Sequence, residues 1–214
     1  MASHALLSAS SSHRWINCPP SVMLTKDMED VPSEYAKEGS EAHELGAYLI
    51  EKALGKDVSD PKVNFEFYSP EMEECACAYA GYVLERYNAA KQKCADSLIY
   101  IEQRLDYSAY VKDGFGTGDC LIISDDCLEI IDYKHGLGVL VDANENSQLM
   151  CYALGAYDSF GALYDFKQIS MTIFQPRRDN ISTYVTEVDD LLRWANEVLI
   201  PAANLALEGK GEFK

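Results

Sequence analysis

The sequence predicts an α/β fold built on a mixed β-sheet, and three observations carry that reading. Apolar residues in the first part of the chain recur at helical intervals. The period then shortens to short runs rich in isoleucine and leucine, and one further helical stretch interrupts those runs before a helix closes the chain. The resulting order is helix, helix, three strands, helix, two strands, helix, with no internal repeat and no linker-like stretch. A chain of 214 residues, 48% of them apolar, suffices for one substantial core. A single domain over 1–214 is therefore expected, with a helical part at 40–97, a sheet core at 98–187 and a C-terminal helix at 188–214.

The opening stretch, SASSSHRWINCPPSVML, mixes cap-type serines with a short helix broken at Cys18–Pro19–Pro20. TKDMEDVPSEYAKEGS reads as a mobile loop that ends at Ser40, a good N-cap. From Ser40 to about Leu54, the residues Ala42, Leu45, Leu49, Ile50 and Ala53 make one buried helical stripe. A loop from Gly55 to Tyr68 leads to Ser69–Pro70, a cap followed by proline at the first helical position. The helix after it is long, with Met72, Cys75, Ala76, Tyr79, Ala80, Val83, Leu84 and Tyr87 three and four residues apart. Strands are expected at Leu98–Leu105, Gly118–Ser124 and Leu128–Lys134, the last two joined as an antiparallel hairpin by the polar turn Asp125–Asp126–Cys127. The loop HGLGVLVDANEN precedes a helix at Ser147–Ser159. The runs ISMTIFQ and ISTYVTE are expected to pair across PRRDN, and Val188–Leu207 to form an amphipathic helix kinked at Pro201.

Composition narrows the function classes. No apolar run reaches about 18 residues, so no membrane-spanning helix is expected. The N-terminus lacks the charged start and apolar stretch of a signal peptide, so a cytoplasmic location is expected. The seven cysteines show no framework spacing and no CxxC pair, which argues against a zinc ribbon. The net charge of −17 describes an acidic enzyme rather than a nucleic-acid binder, although a local basic strip can sit on an acidic body.

The stretch GFGTGDCLIISDDCLEIIDYKHG carries the chemistry. In a hairpin, Asp119 at the start of one strand and Asp132 near the end of the next fall at the same end of the sheet, and Lys134 shares the face of Asp132. Two carboxylates can hold Mg²⁺ or Mn²⁺, and a lysine can orient or deprotonate an attacking water. A strand-end Asp followed by Lys is more often a solvated turn with a weak ion pair. The glycines of Gly116–Thr117–Gly118 shift that balance, because they let the backbone pass close to another group. His43 lies at the border of its helix's apolar stripe and can face a site or remain a core-edge histidine. Gln148 and Tyr152 are four apart on one helical face, either as core residues or as a pair holding Lys134 or a phosphate. Glu102 can reach the site or face outward, and Arg177 and Arg178 can contact phosphate or simply charge a turn.

The set Asp119 with Asp132–Tyr133–Lys134 resembles the signature of the PD-(D/E)XK nuclease superfamily, with Gly118–Asp119 at the first acid. Gln148–Leu149–Met150–Cys151–Tyr152 looks like the QxxxY motif of its RecB-type branch. Gly39–Ser40–Glu41–Ala42–His43 is similar to that branch's histidine-bearing helix, and Ser12–His13–Arg14–Trp15 with Cys18–Pro19 to its opening. The resemblance covers nearly the whole chain and is nearest to a phage- or prophage-associated group of unknown function. It implies a restriction-endonuclease-like α-βββ-α-β core. It also implies a Mg²⁺- or Mn²⁺-dependent deoxyribonuclease, an exonuclease working on DNA ends in phage recombination or repair. Asp119, Asp132, the carbonyl of Tyr133 and His43 would hold the metal; Lys134, Gln148 and Tyr152 would complete the catalytic set. DNA is the implied partner, with a recombination protein or a second copy of the chain as further partners. Several relatives hold an iron–sulfur cluster on one early and three late cysteines. Cys18 matches the early one, but no cysteine follows Cys151, because the group lacks the cluster or the chain is truncated, and no cluster is expected. Two alternatives stand beside the nuclease: a catalytically silent DNA-binding accessory protein, and an acidic DNA mimic suggested by the charge.

Overall fold

Alternating apolar side chains give the sheet two faces that must both be covered, and helices cover both. The computed structural model describes residues 5–28 and 31–214. Strands β1 (Leu98–Asp106), β2 (Phe115–Ile123), β3 (Cys127–Tyr133), β4 (Gln168–Gln175) and β5 (Asn180–Glu187) lie side by side in chain order. All neighbours are antiparallel except β3 and β4, whose parallel pairing requires a crossover, supplied by helix α5 (Ser147–Phe160). This is the mixed α/β sheet flanked by helices that the sequence predicts.

One face carries Leu121, Ile123, Leu128, Ile130, Ile169, Met171 and Ile173, packed against α5 and against residues from both ends of the chain. Those ends form α1 (Ser12–Asn17), α2 (Ser21–Thr25), α6 (Val188–Trp194) and α7 (Ile200–Glu208). The other face carries Cys120, Ile122, Ile131, Tyr133 and Phe174 beneath α3 (Glu34–Ala53) and α4 (Pro70–Lys93). At the start of α4 the Ser69 hydroxyl accepts from the Met72 N–H and Pro70 occupies the first turn, as expected.

Helix α3 corrects the sequence reading. It begins at Glu34, and its cap is Ser33, whose Oγ accepts from the Ala36 N–H at 3.2 Å. Ser40 sits inside the helix and donates back to the Ala36 carbonyl. The first turns are exposed, Tyr35 to 85%, so no apolar stripe announced them. Glu29 and Asp30, part of the expected loop, lie outside the described residues.

Strand β2 likewise starts at Phe115 rather than Gly118. Gly116 and Gly118 hold ladder positions opposite Leu105 and Gln103. A Cβ on Gly116 would meet the Tyr152 ring at 2.7 Å, and one on Gly118 would meet Leu105 at 2.9 Å. The close neighbours these glycines admit are therefore α5 and the sheet itself. The β2–β3 turn closes with the Ser124 N–H donating to the Cys127 carbonyl, and β4 and β5 pair across Pro176–Asp179 as expected. Between α6 and α7, one wide π-turn (Ala195–Leu199) precedes Pro201, which has no N–H to give to a regular helix. All seven cysteines are free thiols.

One irregularity sets up the site. Ile99 and Ile101 pack beneath α3 and α4, whereas Leu105 packs on the α5 side, so odd-numbered residues of β1 change face within one strand. The break falls at Glu102, whose φ of 51° is left-handed. Continuing the register of β1 and β2 sets Glu102 opposite Asp119.

Capping by Ser33 predicts that Ser33→Ala lowers stability by about 1 kcal/mol. Ser40→Ala should change it by less than about 0.5 kcal/mol. Urea unfolding of the two variants measures both.

Candidate metal centre

The β2–β3 ladder runs from Ile123↔Leu128 to Cys120↔Ile131 and stops there. A buried backbone N–H beyond that point needs a different acceptor. The Tyr133 N–H finds it in the carboxylate of Asp119, donating to Oδ2 at 2.7 Å. This contact fixes one Asp119 oxygen and turns the other toward α3, where Oδ1 lies 3.1 Å from Nδ1 of His43. Glu102 completes the group. One donor atom each from His43, Glu102 and Asp119 lie within 4.8 Å of one another, and the three come from α3, β1 and β2.

The charges are strongly coupled. Burial works against the His43 imidazolium, but the Asp119 charge and hydrogen bond, with Asp132 behind them, push its pKa up to about 8. Burial would raise Asp119, yet His43, Lys134 and the Tyr133 N–H hold it below the usual aspartate value. Much of Glu102 is exposed, but desolvation of its carboxyl and the neighbouring Asp119 push its pKa up to about 7. A cluster that retains protons this close to neutrality is one that a divalent cation can relieve.

A second group lies on the α5 face, where Asp132 and Lys134 stand two strand residues apart. Lys134 Nζ is 2.8 Å from Asp132 Oδ2 and donates to Gln148 Oε1 at 3.1 Å. The Gln148 amide donates in turn to Asp132 Oδ1 at 3.2 Å and to the Tyr152 hydroxyl at 3.0 Å. Burial opposes the Lys134 charge, but Asp132 and Asp119 outweigh it and raise the pKa above that of an ordinary lysine. Lys134 is therefore an ammonium at neutral pH. Asp132 Oδ2, although buried, accepts no aligned hydrogen bond and has only the Lys134 ion contact. Its pKa is raised, chiefly by burial.

These features fit a divalent cation. One imidazole and two carboxylates converge, and a carboxylate oxygen with spare acceptor capacity belongs to the neighbouring group. The sequence-based ligand set is brought together in part. His43 and Asp119 meet, Glu102 joins them, Asp132 faces Lys134 and Gln148, and Tyr133 contributes its N–H to Asp119. Gln148 accepts from Lys134 and donates to Tyr152, so of the pair only Gln148 touches the lysine and Tyr152 acts through it. Glu102 was legible only as an open choice; its register with Asp119 in the first hairpin was the missing signal.

Arg177 and Arg178 lie elsewhere. Arg177 bridges Glu38 of α3 and Glu71 of α4 at 3.1 Å each, and Glu38 also lies 3.3 Å from His135. Arg178 donates to the Leu137 carbonyl. Neither lines the cleft of about 1130 Å³ that opens over His43, Glu102, Asp119 and Lys134. Their charges tie the β4–β5 turn to the helices and to the loop after β3.

A family model described as "Protein of unknown function (DUF2800)" matches residues 4–214, and the chain belongs to that family. A solved structure titled "Crystal structure of SSO0001" is similar over 83% of this chain and 90% of that one, at 12% identity and a TM-score of 0.31. No helix among the described residues is long and apolar enough to cross a membrane.

Because His43 and Glu102 must shed protons to bind a cation, Mn²⁺ affinity should rise with pH up to about 8 and then level. Titration calorimetry in buffers of different ionisation enthalpy should show proton release below that pH and little above it. Glu102→Gly removes a left-handed backbone cost of about 1 kcal/mol or more. Its metal-free form should melt no lower than wild type, while the Mn²⁺-induced rise in Tm should largely disappear.

Proposed function

We propose that this chain is a divalent-metal-dependent DNA nuclease that hydrolyses phosphodiester bonds in the cleft over His43, Glu102 and Asp119. The observation that carries the reading is the convergence of those three side chains from three elements beside the buried Asp132 and its half-buried partners Lys134 and Gln148. His43, Glu102 and Asp119, with Asp132 adjoining, would hold Mg²⁺ or Mn²⁺. When bound, such a cation supplies Lewis-acid stabilisation of the charge that builds on the phosphate oxygens.

The side chains account for the rest. Lys134, kept charged by Asp132, can donate hydrogen bonds to an attacking water or to a non-bridging phosphate oxygen. A lysine whose pKa is raised is a poor base at neutral pH, so its role is orientation and charge stabilisation rather than deprotonation. Gln148 and Tyr152 fix the ammonium in direction, since the amide oxygen faces the lysine while the amide nitrogen faces Asp132 and Tyr152. Asp119 and Tyr133 keep the ligand end of β2 in register with the lysine end of β3.

DNA as substrate, and action on DNA ends in phage recombination or repair, draw support from the resemblance of these same residues to the RecB-type nuclease branch. Lys134→Ala should reduce Mn²⁺-dependent degradation of linear DNA by about 100-fold or more while leaving Mn²⁺ bound. Gel assays of linear and circular DNA, run beside calorimetry, measure both. Equal activity in the variant would remove Lys134 from the mechanism.

A further inference from the structure

We infer that Arg104 and Phe115 form an anchor for a phosphate of a nucleic-acid strand, close to the one at the metal centre. This inference rests on the nuclease reading of the site.

The guanidinium of Arg104 lies over the Phe115 ring, its carbon 3.7 Å from the ring centroid, and both residues line the cleft. Stacking holds one face of the guanidinium flat, which leaves its edge of N–H donors for a ligand. That fork matches a phosphate, two donors to two oxygens. The exposed Thr117, the ladder partner of Arg104, lines the same cleft.

Charge bookkeeping singles Arg104 out. Of the cations in the cleft, His43 is matched by Asp119 and Lys134 by Asp132, whereas Arg104 has no ion-pair partner among the described residues. In a chain of net charge −17, a stacked arginine that forms no ion pair beside an acidic cluster, with only the exposed Asp106 two residues along the strand adding a longer-range charge, has the form of a binding group. Its place along β1 suits a nearby phosphate of the same strand. Arg104 follows Glu102 by two residues, about 6.6 Å of strand. That is about two axial steps of a nucleic-acid strand at about 3.4 Å each, so Arg104 can meet a phosphate within two steps of the metal centre. Glu44, Glu102 and Asp119 also face the cleft, so a strand should enter only when a divalent cation offsets them.

The test uses a fluorescein-labelled oligothymidylate, anisotropy detection and Ca²⁺ as the cation. Wild type should bind with Ca²⁺ and lose binding in a chelator. Arg104→Gln should weaken binding about tenfold. It should also flatten the dependence of log K on log salt by about 0.7, the share of one phosphate on a single strand. In Mn²⁺ the same variant should raise KM far more than it lowers kcat. Arg104→Lys should keep the salt slope and lose part of the affinity. Arg193→Gln removes an equal charge from the exposed face of α6 and should leave binding unchanged. Unchanged affinity and slope in Arg104→Gln, with wild type binding and cleaving, would overturn the anchor alone. An equal loss in Arg193→Gln would also overturn it, by reducing the effect to overall charge. Absence of both binding and cleavage in wild type would overturn the nuclease reading and the anchor together. Binding that depends on Arg104, without cleavage under any divalent ion, would uphold the anchor and overturn the nuclease.

Discussion

The hydrogen bond from the Tyr133 N–H to the Asp119 carboxylate is the contact on which the centre depends. It forms where the ladder between β2 and β3 runs out, so a side chain completes what the backbone leaves open. Three consequences follow from that geometry. The carboxylate is held from behind by a neutral donor, its free oxygen is aimed at His43, and the strand carrying Asp132 and Lys134 is pinned to the strand carrying Asp119. A carboxylate bound only by solvent would have none of this direction.

Around that contact the protein tolerates local disorder in its own rules. Glu102 takes a left-handed backbone angle inside a strand, and the facing of β1 changes across it. Desolvation, with Asp119 beside it, pushes the Glu102 pKa up to about 7. Such departures from good local structure concentrate where a ligand compensates for them. Farther along the α3–α4 side, the buried Glu129 of β3 meets Arg86 of α4 in a two-point pair.

Much of this was legible in the sequence, for a definite reason. Period changes marked the strands, a serine followed by proline marked the start of α4, and two acids with a lysine marked the ends of a hairpin. The family resemblance added His43, Gln148 and Tyr152, whose partners lie far away in the chain. What escaped was governed by long-range register or by exposure. Glu102 belongs to the centre only because β1 pairs with β2 at one register. Arg177 looked available for a ligand until the fold brought Glu38 and Glu71 to it. The first turns of α3 had no buried face to advertise them.

The two cores on opposite sides of the sheet give the centre a divided ownership. His43 rides on the layer of α3 and α4, whereas Lys134 and Gln148 belong to the side covered by α5, with β2 between them. Lifting the α3–α4 layer would dismantle the ligand set while the lysine and its supports stayed assembled. A cation bound at the proposed site, reaching from His43 to Asp132, would therefore also be a rivet between layers. Its occupancy would set how readily that layer opens, and hence which parts of the molecule exchange, digest or unfold first.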